Sequence, residues 1–431
     1  MFHVLVHMLA TKATSLPLGR GHPERNHPPR AYSSFDWPGL DSYRRAPRDQ
    51  GIFWGPGDIG TPQSGRYGPL HLPSPPLNTP DTLAECCALV RQTADPLEKV
   101  VIVHQTADRF LTGGETTEEG TAASFPPIGS VEEKMLASTP ARLHNYPPLV
   151  SKATQVPRLD DLEGYHPSAY LLHNLAHVEL NAIDLACDTI ARFSPLSDVL
   201  PRLFFTDFIR VADDEARHFQ WCVQRLQELG HDYGEIPQHD LLWQGCHASR
   251  SHVSQRLAVV NMAQEARGLD AGHRLVSRLC CLDDRRSAAI VARIASEEKA
   301  HVAVGIAWFV RICDAVGIAE DMYGTAFREA MDACGMLGVL RPPFNHPARQ
   351  EVGLPQDWYD PALWTRRRHS TDHQDKAEHG LLREQLEKRL QVIIGTEAYM
   401  SSSNVSTGRG GSSSSLTSSG QAALVTQRTP R

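Results

Sequence analysis

No apolar run in this 431-residue chain approaches the length of about 18 residues that a membrane-spanning helix needs, so the chain reads as a soluble protein with no membrane partner. Its nine cysteines include the adjacent pairs Cys86–Cys87 and Cys280–Cys281 but no Cys-x-x-Cys. That usage excludes a disulfide framework and a zinc ribbon, and it fits a reducing compartment. A basic stripe is also missing. With a formal net charge of -7 and one compact basic run, Arg366 to Arg368, the chain lacks the footprint of strong nucleic-acid binding. Acidic residues are absent before Glu24, while Lys12, Arg20, Thr11, Thr14 and Ser15 lie in that stretch. A cytoplasmic location is expected, with a mitochondrial or plastid transit peptide as the alternative.

What is present is an ordinary globular composition, 41% hydrophobic, with 30 prolines and 31 glycines gathered away from the middle. One compact helical domain with long irregular flanks follows from that distribution. Residues 1–80 read as a disordered or targeting extension, aperiodic and rich in Pro, Gly, Arg and Tyr from residue 21 on. Residues 81–166 begin with a helix start, since Thr82 can cap and Glu85 stands where a capping box wants it. A proline-rich arm follows. Residues 317–360 hold a wrapping helix near Tyr323–Cys334 and a second arm. An amphipathic helix is predicted within 361–400, carried by Leu381, Leu382, Leu386, Leu390 and Ile393, and 401–431 is a disordered Ser/Gly-rich tail.

Residues 167–316 carry four long helical stripes, predicted near Ala169–Phe193, Pro201–Gly230, Val253–Cys281 and Ser287–Val316. The second is apolar at Phe204, Phe208, Val211, Phe219, Cys222, Leu226 and Leu229, and Glu215 and His218 fall on the same face. A carboxylate and an imidazole buried one turn apart are costly unless something pairs them, and a metal is one such partner. The fourth stripe repeats the arrangement with Glu298 and His301. The first and third are each interrupted by one acid, Glu179 and Glu265. The order Glu, Glu-x-x-His, Glu, Glu-x-x-His is the ligand set of dinuclear carboxylate bundles. Glu179 and Glu215 are 36 residues apart and Glu265 and Glu298 are 33 apart. Each pair can therefore descend one helix and climb its antiparallel neighbour to the same height.

Taken singly, each of these residues has a bland reading as a solvated or capped helix position; six at matched spacing do not. Glu297 competes with Glu298, being also one turn before His301, and Glu298 is preferred because it repeats the spacing of Glu215 and His218. His177 is open between supporting a ligand and a core hydrogen bond, and Arg267 with Asp270 between a helix pair and such support. Trp221, Trp308 and Phe309 read as core.

Five segments are more specific: His173 to Glu179, Asp214-Glu215-Ala216-Arg217-His218-Phe219, Tyr233-Gly234-Glu235-Ile236-Pro237, Glu265 to Asp270, and Glu298-Lys299-Ala300-His301-Val302. In this order, with Pro343-Phe344-Asn345 and Ala348-Arg349 behind them, they resemble an uncharacterised ferritin-like family similar to the tRNA 2-methylthio-isopentenyladenosine hydroxylases. The resemblance covers about Asp81 to Tyr359. It implies an all-α fold, a ferritin-like antiparallel four-helix bundle with extra flanking helices and irregular arms, holding two iron or manganese ions. It further implies that Glu215 and Glu298 bridge the ions, that Glu179 and Glu265 are terminal ligands, and that His218 and His301 supply one nitrogen each. The mixed oxygen and nitrogen set without sulfur suits those metals.

The expected function is an O2-dependent oxidoreductase of the hydroxylase kind, acting on an unknown small-molecule or modified-base substrate with an unknown electron donor. The alternatives are a ferroxidase or other metal-handling protein, and a non-catalytic helical interaction protein with a structural metal. No catalytic residue is assigned beyond the ligands, and a homodimer is an open option. A tRNA substrate is disfavoured by the lack of a basic face.

Overall fold

The computed structural model describes Phe35 and residues 37–48, 70–76, 78–112, 126–136 and 138–364. The transit-peptide stretch, the basic run 366–368, the amphipathic helix expected near 376–394 and the Ser/Gly-rich tail lie outside them. Among the described residues the chain is all-α, and its two-residue strands β1 (Leu149–Val150) and β2 (Gln238–His239) pair in parallel. No described helix is long and apolar enough to cross a membrane.

In chain order the helices begin with α1 (Leu40–Arg45), α2 (Leu83–Gln92) and α3 (Pro96–Thr112). The long helices α4 (Pro167–Phe193) and α5 (Arg202–Glu228) follow, then the short α6 (Leu241–Ala248). The third predicted helix comes in parts: α7 (Val253–Arg256), a π-helical segment (Leu257–Gln264) and α8 (Ala266–Cys281). The last are α9 (Arg285–Ala315), α10 (Tyr323–Ala333), α11 (His346–Glu351), α12 (Gln356–Tyr359) and α13 (Pro361–Trp364).

Local chemistry sets the ends. Pro167 opens α4 under the His166 ring, which accepts the Ser168 N–H, and Pro195 closes it. Gly230, at φ +83°, lets the His231 N–H reach back to the Leu226 carbonyl at 3.0 Å and seal α5. Asp283 takes the same left-handed turn at φ 56° after α8. Asp284 then caps α9 by accepting the Ser287 N–H. The break between the third and fourth predicted helices is thus a C-terminal turn at Asp283 and an N-terminal cap at Asp284, back to back. Thr82 caps α2 as predicted, accepting the Glu85 N–H while its hydroxyl donates to the Glu85 carboxylate.

Packing groups α4 with α5 and α8 with α9, the π-helical segment also lying on α9, while α2 covers α4 and α3 covers α5. The core is continuous across these elements, with Phe204, Phe208, Phe219, Leu257 and Ile306 fully buried. Ion pairs are buried with it. Lys99 of α3 meets Asp184 of α4 at 2.6 Å with neither exposed, and Arg142 reaches the other oxygen of Asp184 at 2.5 Å. Burial pushes the Lys99 ammonium down to about 8 against the pull of Asp184.

One flank differs from its sequence reading. Within the segment read as disordered, residues 37–48 contain α1 and lie along α5, where Arg44 pairs with buried Asp207 at 2.6 Å and Arg48 with buried Asp213 at 2.7 Å. A six-residue helix leaves no periodicity to read, and what fixes it is charge supplied by a helix 160 residues away. The 231–251 connection likewise contains α6, too short to register as a stripe.

Breaking a buried pair leaves uncompensated charge, which costs about 3–5 kcal/mol. Asp184→Leu strands both Lys99 and Arg142, so its denaturant-unfolding free energy is expected to fall by about that much. An unchanged midpoint would count against the pair as a structural tie.

Candidate metal centre

Glu179 comes from α4, Glu215 and His218 from α5, Glu265 from the junction of the π-helical segment with α8, and Glu298 and His301 from α9. The structure brings all six together in two overlapping groups. Glu179, Glu215, His218 and Glu298 form one; Glu215, Glu265, Glu298 and His301 form the other, and the ligating atoms within each lie within 4.8 Å of one another. Glu215 and Glu298 belong to both. His218 Nδ1 stands 3.4 Å from Glu179, 3.4 Å from Glu215 and 3.5 Å from Glu298, while His301 Nδ1 stands 2.8 Å from Glu215 and 3.4 Å from Glu298.

The local fold explains how Glu265 arrives. Its N–H reaches the Val260 carbonyl, five residues back, at 2.9 Å. The wide turn displaces the helix by one residue just ahead of the acid, a distortion common at functional positions.

The chemistry of the inner atoms fits a cation. Both oxygens of Glu215 and the Nδ1 atoms of His218 and His301 are buried without a hydrogen bond of ordinary geometry. Buried polar atoms almost always have hydrogen bonds, and these four crowd one spot, His301 Nδ1 standing 2.8 Å from Glu215, so a shared cation would answer all of them at once. Burial pushes the carboxyl groups of Glu179 and Glu265 well above the usual range, with help from neighbouring carboxylates. Burial opposes charge on His218 and His301, but the surrounding carboxylates outweigh it and raise both imidazoles well above their ordinary value. Burial alone would raise Glu215 too, yet His301 and His218 hold it below its ordinary range.

Behind the ligands lies a mirrored support. His218 Nε2 meets the Glu297 carboxylate at 2.9 Å, and His301 Nε2 meets Asp214 at 3.3 Å. Each outer carboxylate immediately precedes the shared acid on the opposite helix. Arg217 donates to both, at 2.7 Å each. Arg293 also pairs with Glu297, and the Tyr43 hydroxyl of α1 donates to Asp214 at 2.9 Å. Glu297 therefore backs His218 rather than replacing Glu298. The roles of Asp214 and Tyr43 were missed; an acid directly before each Glu-x-x-His was the available signal for Asp214, and Tyr43 had none.

The other candidates resolve away from the cluster. His177 bonds the Tyr233 hydroxyl at 2.8 Å and the His239 carbonyl at 3.1 Å, and burial pushes its imidazole down to about 3. His173 accepts the Gly234 N–H at 2.9 Å, so the two rings pin the Tyr233–Pro237 loop. Gly234 is required there, because a Cβ would come within 2.3 Å of the Tyr146 ring. Asp270 binds Arg267 at 3.0 Å and Arg349 at 2.7 Å and fastens the arm after α10. Trp221, Trp308 and Phe309 are buried core, Trp308 donating to Asp207 at 2.8 Å.

A cleft of about 90 Å³ reaches Glu179, Glu215, Glu265 and Glu298 from outside. Its other walls are mostly apolar or small: Leu175, Val178 and Ala182 of α4, Gly268, Gly272 and Leu275 of α8, and Ile294 of α9.

Fold and cluster together define a helical protein with carboxylate and histidine groups close enough to hold metal ions. Residues 92–360 match the family described as "Protein of unknown function (DUF455)", and the chain belongs to that family. It is 32% identical over 277 residues to an uncharacterized protein of Haemophilus influenzae, covering 62% of this chain and 90% of that one. No solved structure matches.

Two results are expected from this geometry. Because a ligand must shed its proton to bind, loading with a divalent metal releases on the order of one proton per ion, and affinity weakens as pH falls. Calorimetric titration in buffers of different ionisation enthalpy reads the release directly; zero release at pH 7 would contradict it. Asp214→Asn is expected to lower metal affinity about 10–100-fold with helical circular dichroism unchanged.

Proposed function

We propose that the chain is a ferritin-like four-helix bundle, formed by α4, α5, the α7-to-α8 helix and α9, that holds two iron or manganese ions. It acts as an O2-dependent oxidoreductase of the hydroxylase kind on an apolar substrate. The observation that carries this reading is the pair of carboxylate and histidine groups sharing Glu215 and Glu298, with four buried atoms that lack hydrogen bonds converging between them.

In this reading Glu179, Glu215, His218 and Glu298 would hold one ion, and Glu215, Glu265, Glu298 and His301 would hold the other. Four carboxylates balance most of the charge of two divalent ions, and the absence of sulfur favours iron or manganese over a structural zinc. Reduced ions would supply activation of dioxygen. The residues do the rest. Asp214, Glu297 and Arg217 fix the orientation of both imidazoles, the buried helices exclude bulk water, and the cleft admits a substrate to the side carrying Glu265. Inserting one oxygen atom into a C–H bond and reducing the other to water needs two electrons from an external donor. A closed store of metal has no use for an apolar approach to its ligands, so the cleft favours an oxidoreductase over a metal-handling role.

Elemental analysis of wild type beside Glu215→Ala tests the centre: close to two ions per chain are expected, lost in the variant. Oxygen consumption by the reduced, iron-loaded protein tests the chemistry. Uptake no faster than that of free iron would remove the oxidoreductase reading, and no bound metal in the wild type would remove the centre.

A further inference from the structure

The cleft contains one polar side chain that the centre does not use. Gln264, the last residue of the π-helical segment, is 8% exposed and lines the cleft next to Glu265. Its Nε2 donates to the Leu242 carbonyl at 3.3 Å, which fixes the amide and leaves Oε1 as the acceptor. That Oε1 is buried without a hydrogen-bond partner. A buried acceptor lacking a donor is destabilising, and a donor from water or from a bound molecule completes it.

The position is built. A Cβ on Gly245 of α6 would lie 2.3 Å from Gln264 Nε2, so the missing side chain at 245 makes room for the amide. One turn further along the same helix, a Cβ on Gly268 would stand 3.6 Å from Glu298 Cγ, so bare backbone forms the wall beside that acid. The charged residues lining the cleft are the four carboxylates alone, which repel an anion.

We propose that the cleft binds a short aliphatic group bearing one hydroxyl or N–H donor, with Gln264 Oε1 accepting that hydrogen and the hydrocarbon lying against Gly268 beside Glu298. This deepens the oxidoreductase reading, on which it rests, by giving the class of substrate. Scaled from a cavity of ~150 Å³ that holds benzene, the cleft takes a chain of roughly four carbons. Gln264 is a specificity-determining residue: it selects molecules that can donate, and sets which carbon faces the centre.

The test compares 1-butanol with methyl propyl ether, equal in size but without a donor. Binding is read by ligand-observed NMR on full-length protein of measured metal content and on the metal-free protein. The alcohol is expected to bind about tenfold more tightly than the ether, the preference to vanish in Gln264→Leu with ether binding retained, and Gly268→Val to weaken both. Equal affinity of alcohol and ether in wild type overturns the proposal even if Gln264→Leu does not fold. So does a preference that survives in a folded Gln264→Leu. A preference present in a protein that takes up no metal supports the donor site while removing the metal reading, so the two failures are told apart.

Discussion

Placing four carboxylates and two imidazoles inside a helical core is the constraint around which the middle of this chain is arranged. An ionised group moved from water into such an interior costs several kcal/mol unless it is paired. Here the inner atoms of Glu215, His218 and His301 face one another without hydrogen bonds of ordinary geometry, while on the outer side Glu297 meets His218, Asp214 meets His301 and Arg217 donates to both carboxylates. That asymmetry sets the cluster apart from a buried salt-bridge network such as Lys99–Asp184–Arg142, whose charges answer one another. Helix length serves the same end. Two long antiparallel pairs are what bring acids 36 and 33 residues apart to one level.

Much of this was legible in sequence, for a physical reason. Glu215 with His218 and Glu298 with His301 violate an apolar stripe at the helical period, and a violated stripe is visible without coordinates. The four long helices were legible likewise, their ends marked by Pro195, Gly230 and Asp284. The π-helical segment was not. Its residues, Leu257 to Gln264, read as good helix under either hydrogen-bonding pattern, and the choice depends on packing against α9. The contribution of Tyr43 was equally hidden, since α1 has no stripe and is held by Asp207 and Asp213 from a distant part of the chain. Glu297 was visible but ambiguous: spacing allowed it as a ligand, and only the side-chain direction assigns it to the outer face of His218.

The motifs that resembled a known family divide into two kinds. Four carry residues of the cluster: two hold the Glu-x-x-His repeats, and two hold Glu179 and Glu265. The Tyr233–Pro237 loop and the arm around Asn345 instead hold the scaffold, through His173 and His177 in one case and Asp270 in the other. A motif match cannot separate these roles, because a loop that must fit two imidazoles is as restricted in sequence as a ligand.

Arg217 has a further consequence. One guanidinium nitrogen serves the carboxylates behind both imidazoles, so neither half of the cluster can shift its charge without altering the other's support. Two cations seated there would be thermodynamically linked, each changing the other's affinity by the same factor, whatever its sign. The protein would then report occupancy of one position at the other from behind the imidazoles, in addition to any coupling through the shared Glu215 and Glu298.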